Sequence, residues 1–255
     1  MGEGPALGWA LAGARRAGPG KAVCEDAVAW DLSGDCLIAA IADGAGSARF
    51  SAMGAKFVVD TAVAKARELV QRFGGPFDVP EETLAGIVPD LRSWLKVQAI
   101  QTGGKLEELA STLVLAIASP RGIRVVQIGD SACVVRVGGE LKVARWPDQG
   151  EFANATYFVT SADAEANTHV VTIEAPIEAF TLFSDGLLYM LLDPSTRAPH
   201  PPFFSRVFDA LEGRVGECED VSRWLEEMLA SPSVTSRTDD DTSLVVGRFG
   251  GGGVS

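Results

Sequence analysis

Acidic residues stand beside glycine, serine or threonine at the ends of apolar runs along this chain. That pattern points to oxygen-ligand chemistry. Glu25-Asp26 precedes the run AVAWDL, and Asp43-Gly44 follows CLIAAIA. Asp130 lies in Gly129-Asp130-Ser131, Asp185-Gly186 follows FTLFS, and Asp239-Asp240-Asp241 precedes Thr242. Hard divalent cations take oxygen ligands, and Mg²⁺ keeps several of its waters, so a few carboxylates and a backbone carbonyl can hold two ions. A glycine after an aspartate lets the main-chain carbonyl approach a metal closely. Taken singly, each group has a plainer explanation. Asp-Gly is a common turn pair, and Asp130 fits a hairpin. Glu25-Asp26 and Asp239–Asp241 fit solvated surface charge. Only the set, in this order and these settings, carries the functional reading.

Such side chains can meet only if strand ends converge. Leu7–Ala14 and Ala27–Leu32 read as short strands, and Cys36–Ala42 as a strand buried on both faces. Apolar residues from Ala55 to Phe73 recur at helical spacing within Ser51–Phe73, and Gly74-Gly75-Pro76 ends the run. A second helix carries Leu84, Ile87, Leu91 and Leu95 and closes at Gly103-Gly104. Strands are expected at Thr112–Ala118, Ile123–Ile128, Ala132–Val137 and Glu140–Val143, punctuated by glycine turns. A polar loop follows over Trp146–Asn154. Further strands are expected at Tyr157–Thr160, Val170–Ile173, Phe180–Ser184 and Thr242–Phe249. Helices are expected at Gly186–Leu192, Phe203–Leu211 and Val221–Leu229. Segregated strands and helices predict an α+β fold of antiparallel sheets with helices outside, in one domain over residues 1–249 with a flexible tail at 250–255.

The order of the motifs resembles the type 2C (PPM) metal-dependent protein serine/threonine phosphatases. It runs CEDA (24–27), IADGAGS (41–47), STLVLA (111–116), IGDS (128–131), LFSDGL (182–187) and DDDTSLVV (239–246), nearly the whole chain. The resemblance implies two antiparallel β-sheets packed as a sandwich, with helices on both outer faces. It implies Mn²⁺ or Mg²⁺, two ions and in some bacterial members a third. It also implies a water between two metals, acidified toward neutral pH, as the attacking nucleophile. Carried over by position, Asp43, Asp185 and Asp239 are the catalytic acids, and Asp43 and the Gly44 carbonyl bind metal. Asp185 and Asp239 complete one shell, Glu25 and Asp26 serve the other, and Asp130 helps to hold the third ion. Asp239 is preferred to Asp240 because Thr242 lies three residues on; Asp240 then replaces the family's usual Asn.

Two departures bear on mechanism. The family usually reads Asp-Gly-His, where the His is a candidate acid for the leaving alkoxide; here that position is Ala45. The two histidines, His169 and His200, lie far along the chain. Loss of a general acid costs about 10²–10⁴-fold, and aryl phosphates need that help least. The family's phosphate-gripping Arg, five residues before the Asp of the acidic pair, is Lys21 here, a charge without a bidentate fork. Arg15 and Arg16 are alternatives. The Asp-Gly-Ala-Gly-Ser form and the segment Gly150–Thr156 resemble a bacterial subgroup that lacks the His. Residues 146–156 would then form a flap beside the site, as a substrate reader or as a plain loop.

Composition bounds the partners. A net charge of −12 over 255 residues argues against nucleic acid or an anionic membrane. No run of about 18 apolar residues could span a bilayer. Cys24, Cys36, Cys133 and Cys218 form no paired motif and fit reduced thiols in the cytoplasm. The expectation is a monomer acting on a phosphoprotein, opposite a Ser/Thr kinase in bacterial signalling. The rival reading is an inactive pseudo-phosphatase that binds a phosphoprotein. A small-molecule metallophosphoesterase would normally need more histidines.

Overall fold

The computed structural model describes residues 7–147 and 156–250. Its strands are β1 (Gly8–Arg16), β2 (Ala27–Ser33), β3 (Cys36–Ala42), β4 (Leu113–Ser119), β5 (Gly122–Ile128), β6 (Ala132–Val137) and β7 (Glu140–Val143). They continue with β8 (His169–Ile173), β9 (Ala179–Phe183), β10 (Leu192–Asp193), β11 (Ala198–Pro199), β12 (Gly216–Glu217) and β13 (Thr242–Gly250). The helices are α1 (Ser51–Phe73), α2 (Glu81–Ala85), α3 (Ile87–Thr102), α4 (Leu188–Leu191), α5 (Pro201–Asp209), α6 (Glu219–Ala230) and α7 (Pro232–Thr235).

One sheet has the order β12-β1-β13-β9-β6-β7 and the other β2-β3-β4-β5-β8. Pairing is antiparallel throughout both, except where the two-residue β12 joins β1 in parallel. Side-chain alternation explains the layering. Trp9 and Leu11 of β1, and Leu37, Ala39 and Ile41 of β3, join Phe180, Leu182 and Val245 in a core between the sheets. Ala10, Ala12 and Ala14 of β1 point the other way, onto Phe204, Phe208, Val221 and Leu225 of α5 and α6. Ile38, Ala40 and Ala42 of β3 face Ala55, Val58, Ala62 and Leu91 of α1 and α3. The result is the expected helix–sheet–sheet–helix sandwich.

Boundaries for β3, α1, β6 and β7 agree with the spacing of the sequence. Residues 157–160 do not: the expected strand is a loop and turn. Its apolar letters have another use. Val159 is buried against the α1–α3 side of the molecule, and its N–H donates to the Ser111 carbonyl at 2.8 Å. The second helix is two, α2 and α3, meeting at Gly86. Gly250 belongs to β13, and the rest of the expected tail lies outside the described residues, as do 148–155 of the expected flap.

Candidate metal centre

Three strand-end aspartates converge. Asp43 follows β3, Asp130 sits in the turn between β5 and β6, and Asp185 opens the helical turn after β9. One carboxylate oxygen from each lies within 4.8 Å of the others. The local fold fixes each one. Asp43 is held by Thr112, whose hydroxyl accepts the Asp43 N–H at 3.0 Å and whose N–H donates to the Asp43 carbonyl at 2.9 Å. The ladder continues with Ala45 N–H donating to the Ala110 carbonyl at 3.0 Å. Those two bonds flank Gly44 and leave its carbonyl outside the ladder. Asp130 accepts a 2.6 Å bond from the Thr156 hydroxyl on Oδ2, while its Oδ1 is buried without a partner.

Two glycines permit the convergence. A Cβ on Gly44 would lie 2.7 Å from the Glu25 carbonyl oxygen, and one on Gly186 would lie 2.0 Å from that of Asp241. Both distances are shorter than a carbon–oxygen contact can be, so backbone passes backbone only because these positions lack side chains.

Asp26 is 1% exposed, and neither of its carboxylate oxygens has a hydrogen-bond partner. Ser184, Ser243 and Asp43 surround it, yet none bonds to it in good geometry. Burial pushes its pKa up to about 6. Burial, then the charges of Asp130, Asp240 and Asp26, push Asp185 up to about 7. Asp43 is raised well above the ordinary carboxylate range, by burial first and then by Asp26 and Asp185. Asp130 is raised by burial. Crowded carboxylates, one fully and three partly buried, that resist ionisation are an unfavourable arrangement unless positive charge joins them. An all-oxygen set of this kind, with orphaned lone pairs, fits a hard divalent cation.

The neighbouring loop contains a different acid. Asp241 is also 1% exposed, but it accepts the Gly18 N–H at 2.8 Å on Oδ1 and the Glu25 N–H at 2.6 Å on Oδ2. It therefore ties the segment Gly18–Glu25 to the start of β13. Lys21 adds Nζ contacts of 2.7 Å to Asp240, 3.4 Å to Asp241 and 3.7 Å to Glu25. Burial alone would lower the Lys21 ammonium, but Asp240 and then Asp241 outweigh it and raise its pKa. Glu25 also accepts a short hydrogen bond from the Ser51 hydroxyl.

A cleft of 430 Å³ opens over the three aspartates. Lys21, Asp43, Gly44, Asp130, Asp185 and Asp239 line it, which accounts for six of the predicted site residues. Glu25 and Asp26 are not among the lining residues. Arg16 is exposed at the end of β1, outside the lining, and the Arg15 guanidinium donates to the Asp26 carbonyl at 3.0 Å. Asp239 is exposed and outside the three-carboxylate cluster; Asp240 is the member of its run whose charge acts on Asp130 and Asp185. Ala45 lines the cleft and no histidine does. Sequence reasoning missed Thr156, Phe158 and the anchoring role of Asp241. Thr156 had a signal in the segment Gly150–Thr156, whereas the Gly18–Asp241 pairing spans the whole chain and left none.

Comparison with known proteins identifies the family and the fold. Residues 14–230 match the family model described as Protein phosphatase 2C. Serine/threonine-protein phosphatase 3 of Escherichia coli (strain K12) is 32% identical over 230 residues, covering 89% of this chain and 90% of that protein. Among solved structures, the Mycobacterium tuberculosis serine/threonine phosphatase PstP/Ppp superposes with a TM-score of 0.66 at 18% identity, covering 96% of this chain and 100% of the other. The catalytic domain of PstP in complex with 2 manganese ions superposes with a TM-score of 0.63 at 20% identity and the same coverage.

Proposed function

The chain belongs to the protein phosphatase 2C family of metal-dependent phosphoprotein phosphatases, and on that premise we propose how its residues divide the work. Glu25, Asp26, Asp43, the Gly44 carbonyl, Asp185 and Asp239 would hold two ions of Mn²⁺ or Mg²⁺, Asp239 from the exposed side of the cleft lining with Asp240 beside it, and Asp130 would serve a third. When bound, the ions supply an acidified water for attack on phosphorus and offset the charge of the phosphate. The observation that carries this reading is the crowding of half-buried Asp43, Asp130 and Asp185 beside fully buried Asp26, with orphaned oxygens on Asp26 and Asp130.

The chain's own side chains do the positioning. Thr112 holds Asp43, and Thr156 holds Asp130. Lys21 meets the phosphate as a point charge, with Arg16 as a more distant cation. With Ala45 in place of a histidine, no lining imidazole protonates the leaving oxygen. That proton comes from water in the open cleft, which favours aryl phosphates over phosphothreonine. The rival binding-only reading is not favoured, because a binder has no use for carboxylates that oppose each other's ionisation. In this reading one catalytic domain over residues 1–249 works as a monomer in the cytoplasm, opposite a Ser/Thr kinase. No helix among the described residues is long and apolar enough to cross a membrane, and the four cysteines are free thiols.

The test is hydrolysis of p-nitrophenyl phosphate and a phosphothreonine peptide with Mn²⁺, Mg²⁺ or EDTA. Asp43→Ala and Asp239→Ala are run alongside. Activity abolished by EDTA, and reduced about 10²–10³-fold or more by each variant, is the expected result. Metal binding without turnover of either substrate would overturn it.

A further inference from the structure

A second cavity, of 470 Å³, adjoins the catalytic cleft and shares Ala45, Ser47 and Phe158 with it. The rest of its apolar wall is Ala48, Ala110 and Ala162. Two of its polar groups are already engaged. Arg92 Nε donates to the Thr160 carbonyl at 3.2 Å, and the Glu108 carboxylate accepts the Lys105 N–H at 2.7 Å. The volume lies in the range of small-molecule and side-chain sites. Ala45 lines both spaces, so a longer side chain there would take volume from one or the other.

We infer that this cavity is a specificity subsite that takes an apolar side chain of the phosphoprotein, within two residues of the phosphorylated one. The inference rests on the phosphatase reading above and extends it from the phosphate to the polypeptide that carries it. An extended peptide advances about 3.3 Å per residue, so a phosphoresidue in the cleft presents its neighbours to a directly adjoining space. The alanine and phenylalanine surfaces reward an apolar occupant, and the one cation of the lining, Arg92, is outnumbered by the carboxylates Glu107 and Glu108, so an acidic occupant meets no net counter-charge. An aryl phosphate has no such neighbour and never reaches the cavity.

The experiment compares p-nitrophenyl phosphate with phosphothreonine hexapeptides in which Leu, Gly or Asp is scanned through the two positions on either side of the phosphothreonine. Wild type is assayed beside Ala162→Trp and Ala48→Leu, which fill the cavity without touching the acidic cluster. Wild type should favour Leu over Gly and Asp at one position by about tenfold in kcat/KM, mainly through KM. Both variants should lose that preference and keep their p-nitrophenyl phosphate kcat/KM within about twofold. Equal rates on all peptides overturn the subsite, as does a preference that survives both variants, while the phosphatase reading stands. An equal fall on peptides and aryl phosphate in both variants also overturns it, by making the effect one of folding or of the cleft itself. No metal-dependent hydrolysis of p-nitrophenyl phosphate by wild type overturns the phosphatase reading and the subsite with it.

Discussion

Asp26 and Asp241 are each 1% exposed and lie in one neighbourhood, yet they are opposites. Asp241 is satisfied: two backbone N–H groups donate to it and the Lys21 ammonium stands 3.4 Å away. Asp26 has no hydrogen bond on either oxygen, and its pKa is pushed up to about 6. Burial alone therefore does not mark a functional acid. The distinction is whether the fold itself completes the carboxylate. Where it does, the acid is a structural anchor; where it does not, the acid is left with the unmet lone pairs on which the proposed metal role rests.

The sharpest way to break that contrast is to remove the anchor. Asp241→Ala strands the buried Gly18 N–H and the part-buried Glu25 N–H and strips a partner from Lys21. Metal-free stability should fall by about 3–5 kcal/mol, read by urea denaturation. A loss below about 1 kcal/mol would erase the difference between the two acids.

Next is pH. The Asp26 and Asp185 pKa values are raised in the folded chain, so the folded state keeps protons that the unfolded state has released. Their contribution is fully present below about pH 4 and is lost as pH rises through about 6 for Asp26 and about 7 for Asp185. The metal-free protein should lose a few kcal/mol across that window. The loss should be smaller in Asp26→Asn, as denaturation at several pH values in EDTA would show. A window that is the same in wild type and variant contradicts the assignment.

Asp26→Asn should itself gain about 1–2 kcal/mol of metal-free stability at pH 7.5, because an uncompensated charge is gone, while Mn²⁺ affinity by calorimetry falls. A destabilised Asp26→Asn would move Asp26 into the class of Asp241. The smallest effect belongs to Thr156→Val, which frees Asp130 from its 2.6 Å bond. Activity at limiting Mn²⁺ should drop about tenfold and recover at high Mn²⁺, as for loss of a ligand's hydrogen-bond partner. A drop that saturating metal does not repair would mean that Thr156 acts other than through Asp130.

The same contrast marks how far the sequence could be read. A continuous apolar run and helical spacing located β3 and α1 to the residue, because those patterns are local. Asp43, Asp130 and Asp185 were legible because each ends or follows an apolar run. The run Asp239–Asp241 was not resolved into its parts. Spacing from Thr242 favoured Asp239, whereas burial singles out Asp241, and the charge near Asp130 and Asp185 is that of Asp240. Those roles depend on the loop Gly18–Glu25 folding back from the far end of the chain, and no local periodicity records that. Residues 157–160 misled for a similar reason: Val159 is apolar to fill the space beside Ser111, not to alternate along a strand.

The two glycines at the crossings carry a consequence for how this protein can vary. Gly44 and Gly186 contribute no ligand side chain, yet the main chain of Glu25 or Asp241 occupies the volume any replacement would need. A lineage exploring substitutions could trade much of its surface, and even shorten an acid, before it could add one methyl group at either place. The least tolerant positions of this enzyme include two that have no side chain to lose, and a scan of mutational fitness would rank them beside the carboxylates they bring together.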